Sequence, residues 1–308
     1  MKNIFLYYPG LAFLLLAQVS CGPQGQDEGL LDEGLLDEGR ALMTEGAVEP
    51  AVELFTRALA AGESPVEVFS QRGKAYLRLG RVAEAIGDFS AVTSLDPENS
   101  EAHYQLGLVM ERKGDLEGAL KSYSAAINRR ADFKKAYANR SVILGRLGKL
   151  KEAIADCNSV IALDPYDNAF LVNRGIFHNQ AGDREKSHRD WNEVLKRDPK
   201  HAKVYYVRAV LDHSPRGEHR EALANLDRVL QLQPGNSNAL QERAKTRHAL
   251  KDFLGEVEDL SALIKRFPGH APTWLARSRA WEAAGEAEKA LADRQKAISL
   301  DPTLDRKP

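Results

Sequence analysis

The chain has 308 residues, with 43 Lys+Arg against 44 Asp+Glu, a net charge of −1 and only two cysteines. That balance supplies no general attraction for nucleic acid or an acidic membrane surface, and Cys21 and Cys157 are too few for a disulfide framework or a Cys-based zinc site. With 43 % apolar and 28 % charged residues the sequence reads as a packed protein, and its one long apolar run, at the extreme N-terminus, excludes a polytopic membrane protein.

The first element is that run. Lys2 precedes Ile4 to Ala17, broken only by Pro9 and Gly10. A helix of that length spans roughly 21 Å, short of the ~30 Å hydrocarbon core, so residues 1–20 read as a secretory signal. Gln18-Val19-Ser20-Cys21-Gly22 resembles the lipobox of bacterial lipoproteins, although that box usually has Leu where Gln18 stands. The resemblance implies lipidation at Cys21 and a membrane-anchored lipoprotein on the exported side of a bacterial cell. An uncleaved anchor, or ordinary cleavage to a periplasmic or secreted protein, are the alternatives. Residues 21–31, rich in Gly, Gln and acids, read as a flexible tether.

The remainder is governed by spacing. Gly46, Gly80, Gly114, Gly148 and Gly182 recur every 34 residues; Gly217 follows after 35, and Lys251 and Gly285 after 34 each. Ala51, Ala85, Ala119, Ala153, Ser187, Ala222 and Ala290 lie five residues after their turn positions, and Pro97, Pro165, Pro199, Pro234, Pro268 and Pro302 share the phase. A fixed period of this size implies a stacked repeat array. Within 66–99, Phe69, Gly73 and Tyr76 precede Gly80, while Ala85, Phe89 and Val92 follow it. The three- and four-residue spacing predicts two amphipathic helices. Gly80 permits the left-handed turn between them, and Pro97 ends the second.

These positions resemble the tetratricopeptide repeat (aromatic–Leu–Gly–Tyr, turn Gly, Ala, Phe, Ala, Pro). The resemblance implies an all-α, right-handed solenoid of eight helix-turn-helix units at 32–65, 66–99, 100–133, 134–167, 168–201, 202–236, 237–270 and 271–304, with 305–308 as a tail. The sixth unit departs from the pattern with an extra residue, expected in its turn at Ser214-Pro215-Arg216-Gly217. In the seventh, Lys251 replaces the turn glycine and Glu256 the small residue. The aromatic or apolar position of the second helix becomes polar only at Arg294, as a solvated terminal repeat requires.

Little sequence is left for an enzyme domain outside the leader and the repeats, and no phosphate loop, nucleophile elbow or H-E-x-x-H occurs. No cofactor and no metal site is expected. His213 and His219 form only a weak His-x5-His pattern, and His213 and His248 occupy equivalent places too far apart to share an ion. His103, His178, Trp191, Trp274 and Trp281 fall at packing positions, and Cys157 in a core slot.

The family turns its first helices toward a concave groove. Gln71, Gln105, Asn139 and Asn173 occupy one such position in four consecutive units, and a carboxamide ladder there can pair with the backbone of an extended peptide. The alternative is that these amides bond to neighbouring helices. Lys74, Arg78, Arg112, Lys135, Arg146 and Lys203 make the lining mildly basic against Glu67, Glu101 and Glu111. The carboxylate clamp of some family members is not formed: Asn173 and Lys203 match it, but Ala138, Val142 and Val207 do not.

The expected function is a non-enzymatic scaffold that binds an extended peptide or partner protein in the groove, without nucleic acid, and is held to the membrane through Cys21. The alternatives are an envelope-associated enzyme using Glu101 or Glu111, and a self-assembling protein that dimerises through its C-terminal end.

Overall fold

Eight apolar-striped helix pairs can bury their faces only by stacking, and the computed structural model, which describes residues 34–306, shows that stack. The pairs are α1 Leu35–Glu45 with α2 Val48–Ala60, α3 Pro65–Arg78 with α4 Val82–Leu95, α5 Ser100–Lys113 with α6 Leu116–Arg129, and α7 Lys134–Arg146 with α8 Leu150–Leu163. They continue as α9 Asn168–Gln180 with α10 Arg184–Arg197, α11 Ala202–Val207 with α12 His219–Leu232, α13 Ser237–Ala249 with α14 Phe253–Arg266, and α15 Ala271–Ala283 with α16 Ala287–Leu300. Each even-numbered helix from α2 to α14 packs on the first helix of its own unit and on that of the next. No strand occurs among the described residues, and the architecture is the expected all-α solenoid. The expected leader, Cys21 and the whole of the expected tether lie outside the described residues.

A repeated knob and hole sets the spacing within each pair. Phe55 seats on Gly39, Phe89 on Gly73, Tyr123 on Gly107 and Trp191 on Gly175. The approach is close: a methyl group on Gly107 would stand 2.5 Å from the Tyr123 ring. Where the knob is smaller the hole is filled instead. Cys157 pairs with Ser141, Leu226 with Ala209 and Leu260 with Ala244, so a smaller knob goes with a larger residue in the hole, and all six are buried. Cys157 is fully buried, and burial pushes its thiol up to about 12, which leaves it an inert hydrophobe.

The two irregular units are resolved differently. In unit six the extra residue does not lengthen the turn. It is wound into the first helix, which widens to a π-helix over Arg208–His213 and ends in a short 3₁₀ turn at Ser214–Arg216. A π turn takes up one residue while the packing before and after it stays in phase. In unit seven Lys251 adopts the left-handed conformation of the turn glycines, with φ 61°. Glu256 is buried in the small-residue slot, where its carboxylate lies 2.9 Å from Nδ1 of His248. At the C-terminal end the outer side of α16 exposes Leu291, Arg294 and Leu300, followed by a single 3₁₀ turn, Pro302–Arg306.

Candidate functional site

The first helices of successive units stand side by side, because each leans on the second helix of the unit before it. The residues facing along this row form the candidate groove. At its N-terminal end a cavity of about 490 Å³ crosses α1, α3 and α5, lined by Met43, Gln71, Lys74, Leu77, Arg78 and Gln105.

All four ladder residues are half-buried on the first helices, but their carboxamides differ in what they meet. Gln105 donates to Glu101 at 2.8 Å. Asn139 donates to the hydroxyls of Tyr104 and Tyr123, at 3.3 and 3.4 Å, tying three helices together. Gln71 and Asn173 have no side-chain hydrogen bond among the described residues. The row therefore combines two engaged amides with two that are free to receive a ligand.

The basic residues divide in the same way. Arg78 donates to the backbone carbonyl of Met43 at 2.7 Å, and Arg112 to that of Leu77 at 2.5 Å. Each caps the C-terminal carbonyls of the preceding unit's first helix, where a cation also meets the negative end of the helix dipole. Arg146 stands 4.0 Å from Glu111. Lys135 and Lys203 are exposed and Lys74 is half-buried, lining the N-terminal cavity. Glu101 and Glu111 are both engaged: Glu101 with Gln105 and Arg130, Glu111 accepting from the Tyr123 hydroxyl at 3.0 Å.

A second, deeper cleft of about 640 Å³ opens between α13 and α15 with α14 as its floor. Ala244, Leu260, Leu263, Phe267 and Ala276 supply its apolar walls, and Lys245, His248 and His270 its polar rim. Unit seven contributes Leu260 and Ala244, its knob-and-hole pair, to the lining. Sequence spacing did not point to this cleft, because Leu260 and Ala244 hold ordinary core positions along the chain.

The histidines sit as follows. His103 Nε2 is 3.0 Å from the carbonyl of Pro97, and His178 is half-buried with its pKa lowered by that burial. His213 is paired with Glu218 at 2.7 Å rather than with His219.

One ladder escaped the sequence reading. Arg72, Arg140, Arg174, Arg243 and Arg277 each grip the aspartate sixteen residues on, namely Asp88, Asp156, Asp190, Asp259 and Asp293. Each also reaches back to the previous unit's second helix, at Thr56, Ser124, Asn158, Asp227 and Ser261. One guanidinium thus staples three helices. The signal was present as an arginine series in phase with the glycines. In unit six Asn225 replaces the aspartate, and Arg208 keeps only Asn192, at 2.5 Å, with its Nε buried and unpaired. Burial lowers the Arg208 pKa.

With the groove and stack described, the likeness to known proteins can be placed. Residues 70–134 and 134–167 match tetratricopeptide repeat family models. The fold is a solenoid of helix pairs of the tetratricopeptide-repeat type, and the family models match its second to fourth units. No curated protein matches the chain by sequence. Among solved structures, a tetratricopeptide repeat protein from Parabacteroides merdae is similar at 20 % identity and a TM-score of 0.60, covering 79 % of this chain and 96 % of its own. The C-terminal part of a TPR repeat-containing protein from Cytophaga hutchinsonii is similar at 17 % identity and 0.59, covering 87 % and 96 %. PilW, a type IV pilus biogenesis factor, is similar at 19 % identity and 0.56, covering 66 % and 94 %. These likenesses concern the fold.

Proposed function

We propose that the chain is a non-enzymatic interaction scaffold that holds an extended peptide, or an extended segment of a partner protein, along its row of first helices. The observation that carries this reading is the pair of clefts on those helices, at units one to three and at units seven and eight, with the free carboxamides of Gln71 and Asn173 along the row. A free carboxamide offers a donor and an acceptor to any peptide backbone, while an apolar cleft accepts a side chain. Lys74, Lys135 and Lys203 add a mild preference for acidic segments. A lipid at Cys21 would hold the scaffold at the membrane on the exported face. That part rests on the lipobox resemblance, and no described helix is long and apolar enough to cross a membrane.

The test is selection of binding peptides from a random library on the purified chain, with affinities read by fluorescence anisotropy. Gln71→Ala with Asn173→Ala, and separately Ala276→Trp to plug the deeper cleft, should weaken selected peptides at least about tenfold with helicity unchanged. Peptides that bind all variants equally would place recognition elsewhere and defeat the reading. For the anchor, Cys21→Ser should abolish partitioning into a detergent phase. Unchanged partitioning rejects the lipid.

A second reading is favoured by α16, whose outer side exposes Leu291 and Leu300 where another repeat would pack. Two copies joined there would give twice the monomer mass in light scattering, and Leu291→Glu should restore the monomer.

A further inference from the structure

We propose that Asp212, His213 and Glu218, together with His188, form a binding site for a divalent transition-metal ion at the joint between units five and six. The site exists because of the inserted residue. The π turn over Arg208–His213 advances the chain by one position, so Asp212 enters the slot that Val109, Ile143 and Phe177 fill in units three to five. A carboxylate is fully buried there, where units three to five are apolar and unit seven carries the uncharged Thr246. Burying a charge is costly unless something specific receives it.

The groups around it come from three elements. His188, on α10, places Nε2 2.7 Å from Asp212 Oδ2. His213, at the end of the π turn, places Nδ1 2.7 Å from Glu218 Oε2 and 3.8 Å from Asp212 Oδ2. Glu218 directly precedes α12. The donor atoms of Asp212, His213 and Glu218 lie within 4.8 Å of one another, so small side-chain movements bring them to the tighter ligand spacing of a four-coordinate ion. Two imidazoles and two carboxylates make a borderline donor set that suits Zn²⁺, Co²⁺ or Ni²⁺ better than Ca²⁺ or Mg²⁺.

A cation already stands at the centre of these donors. Arg184 Nη2 is 3.0 Å from Asp212 Oδ2, 2.5 Å from Glu218 Oε2 and 3.5 Å from His213 Nδ1. The guanidinium fills the place of the ion, and its side chain, 37 % exposed, has room to withdraw into solvent. Arg216 holds the other aspartate oxygen, Oδ1, at 2.5 Å and leaves Oδ2 to the ion. Each imidazole must then turn its deprotonated nitrogen to the metal and carry its proton on the other. The bound ion replaces Arg184 as the clasp between α10 and unit six.

The experiment is titration of the full chain with Co²⁺ near neutral pH, read by visible absorption. The wild type should develop the bands of a low-coordinate Co²⁺ site at one equivalent, and Arg184→Ala should bind about tenfold more tightly. Glu218→Gln and His213→Gln, with unchanged helical circular dichroism, should lose the bands. They are used in preference to an Asp212 variant, whose buried position makes folding itself the risk. No band in the wild type at millimolar Co²⁺ overturns the proposal whatever Arg184→Ala does, as does a band that survives in Glu218→Gln and His213→Gln. An affinity not raised in Arg184→Ala overturns the displacement of the guanidinium.

Discussion

Replacing Arg140 by leucine tests whether the arginine–aspartate staples contribute stability or enforce register. Arg140 donates from Nε to Asp156 Oδ2 at 2.9 Å, from Nη2 to Oδ1 at 2.6 Å and from Nη1 to Ser124 Oγ at 2.9 Å. The Asp156 side chain is only 5 % exposed. Burial pushes its carboxyl above its ordinary value even with the guanidinium in contact, while the hydrogen bond to Asp156 raises the Arg140 pKa, so the carboxylate is the partner that bears the cost of burial. Two consequences follow. Arg140→Leu leaves a buried, unpaired carboxylate and should cost about 3–5 kcal/mol, a large share of a total stability of about 5–15 kcal/mol. Arg140→Leu combined with Asp156→Leu removes both charges and should be neutral, or stabilising by up to about 4 kcal/mol. The single variant's loss should also depend on pH. A carboxyl whose folded pKa is raised keeps its proton in the folded state as pH climbs past the unfolded value, so stability falls through that window and the loss is largest at neutral pH. Urea denaturation followed by circular dichroism, at neutral pH and again in the carboxylate range, measures all three. Equal losses in single and double variants, or a single-variant loss below about 1 kcal/mol, would refute the reasoning.

Other perturbations probe separate parts of the stack. Gly107→Ala puts a methyl group 2.5 Å from the Tyr123 ring and should destabilise by about 1–3 kcal/mol, read as a lowered urea midpoint. Lys251→Gly relieves a lysine held at φ 61° and should raise stability by about 1 kcal/mol in the same assay, after glycine's extra entropy cost is set against the strain removed. Hydrogen bonds from Arg184 and then His213 hold the Glu218 carboxyl down at about 2. Its stabilising contribution is therefore complete above the ordinary glutamate value of 4.5 and lost as pH falls from there toward about 2. Acid titration of stability should flatten across that window in Arg184→Ala.

Which features were legible in the sequence follows from how each is encoded. Turn glycines, small crossing residues and helix-ending prolines act through local backbone geometry, so their period alone gives the succession of helix pairs. The arginine staples were equally periodic, as Arg72, Arg140, Arg174, Arg243 and Arg277 with aspartates sixteen residues on, but they read as solvated charges until the fold brought the partners together. The four carboxamides lie on one row, as their spacing implies. That Asn139 is spent on two tyrosine hydroxyls while Gln71 and Asn173 are open depends on neighbours from other units. The deeper cleft depends on how residues of α13, α14 and α15 come together, which spacing along one helix does not carry.

By itself the sequence determined an all-α stack of eight units, because a repeated pattern of turn formers and apolar stripes has one economical way to bury itself. It also marked unit six as irregular. Only the tertiary structure decided where the extra residue goes. The turn after it is held by Gly217 and the packing before it by Ala209 against Leu226, so the surplus is absorbed between them as a π turn. That choice rotates Asp212 and His213 toward α10 and gathers a charged cluster from residues on three elements. Spacing along the chain carries no record of such a rotation, since it arises from packing constraints that act at both ends of the helix at once.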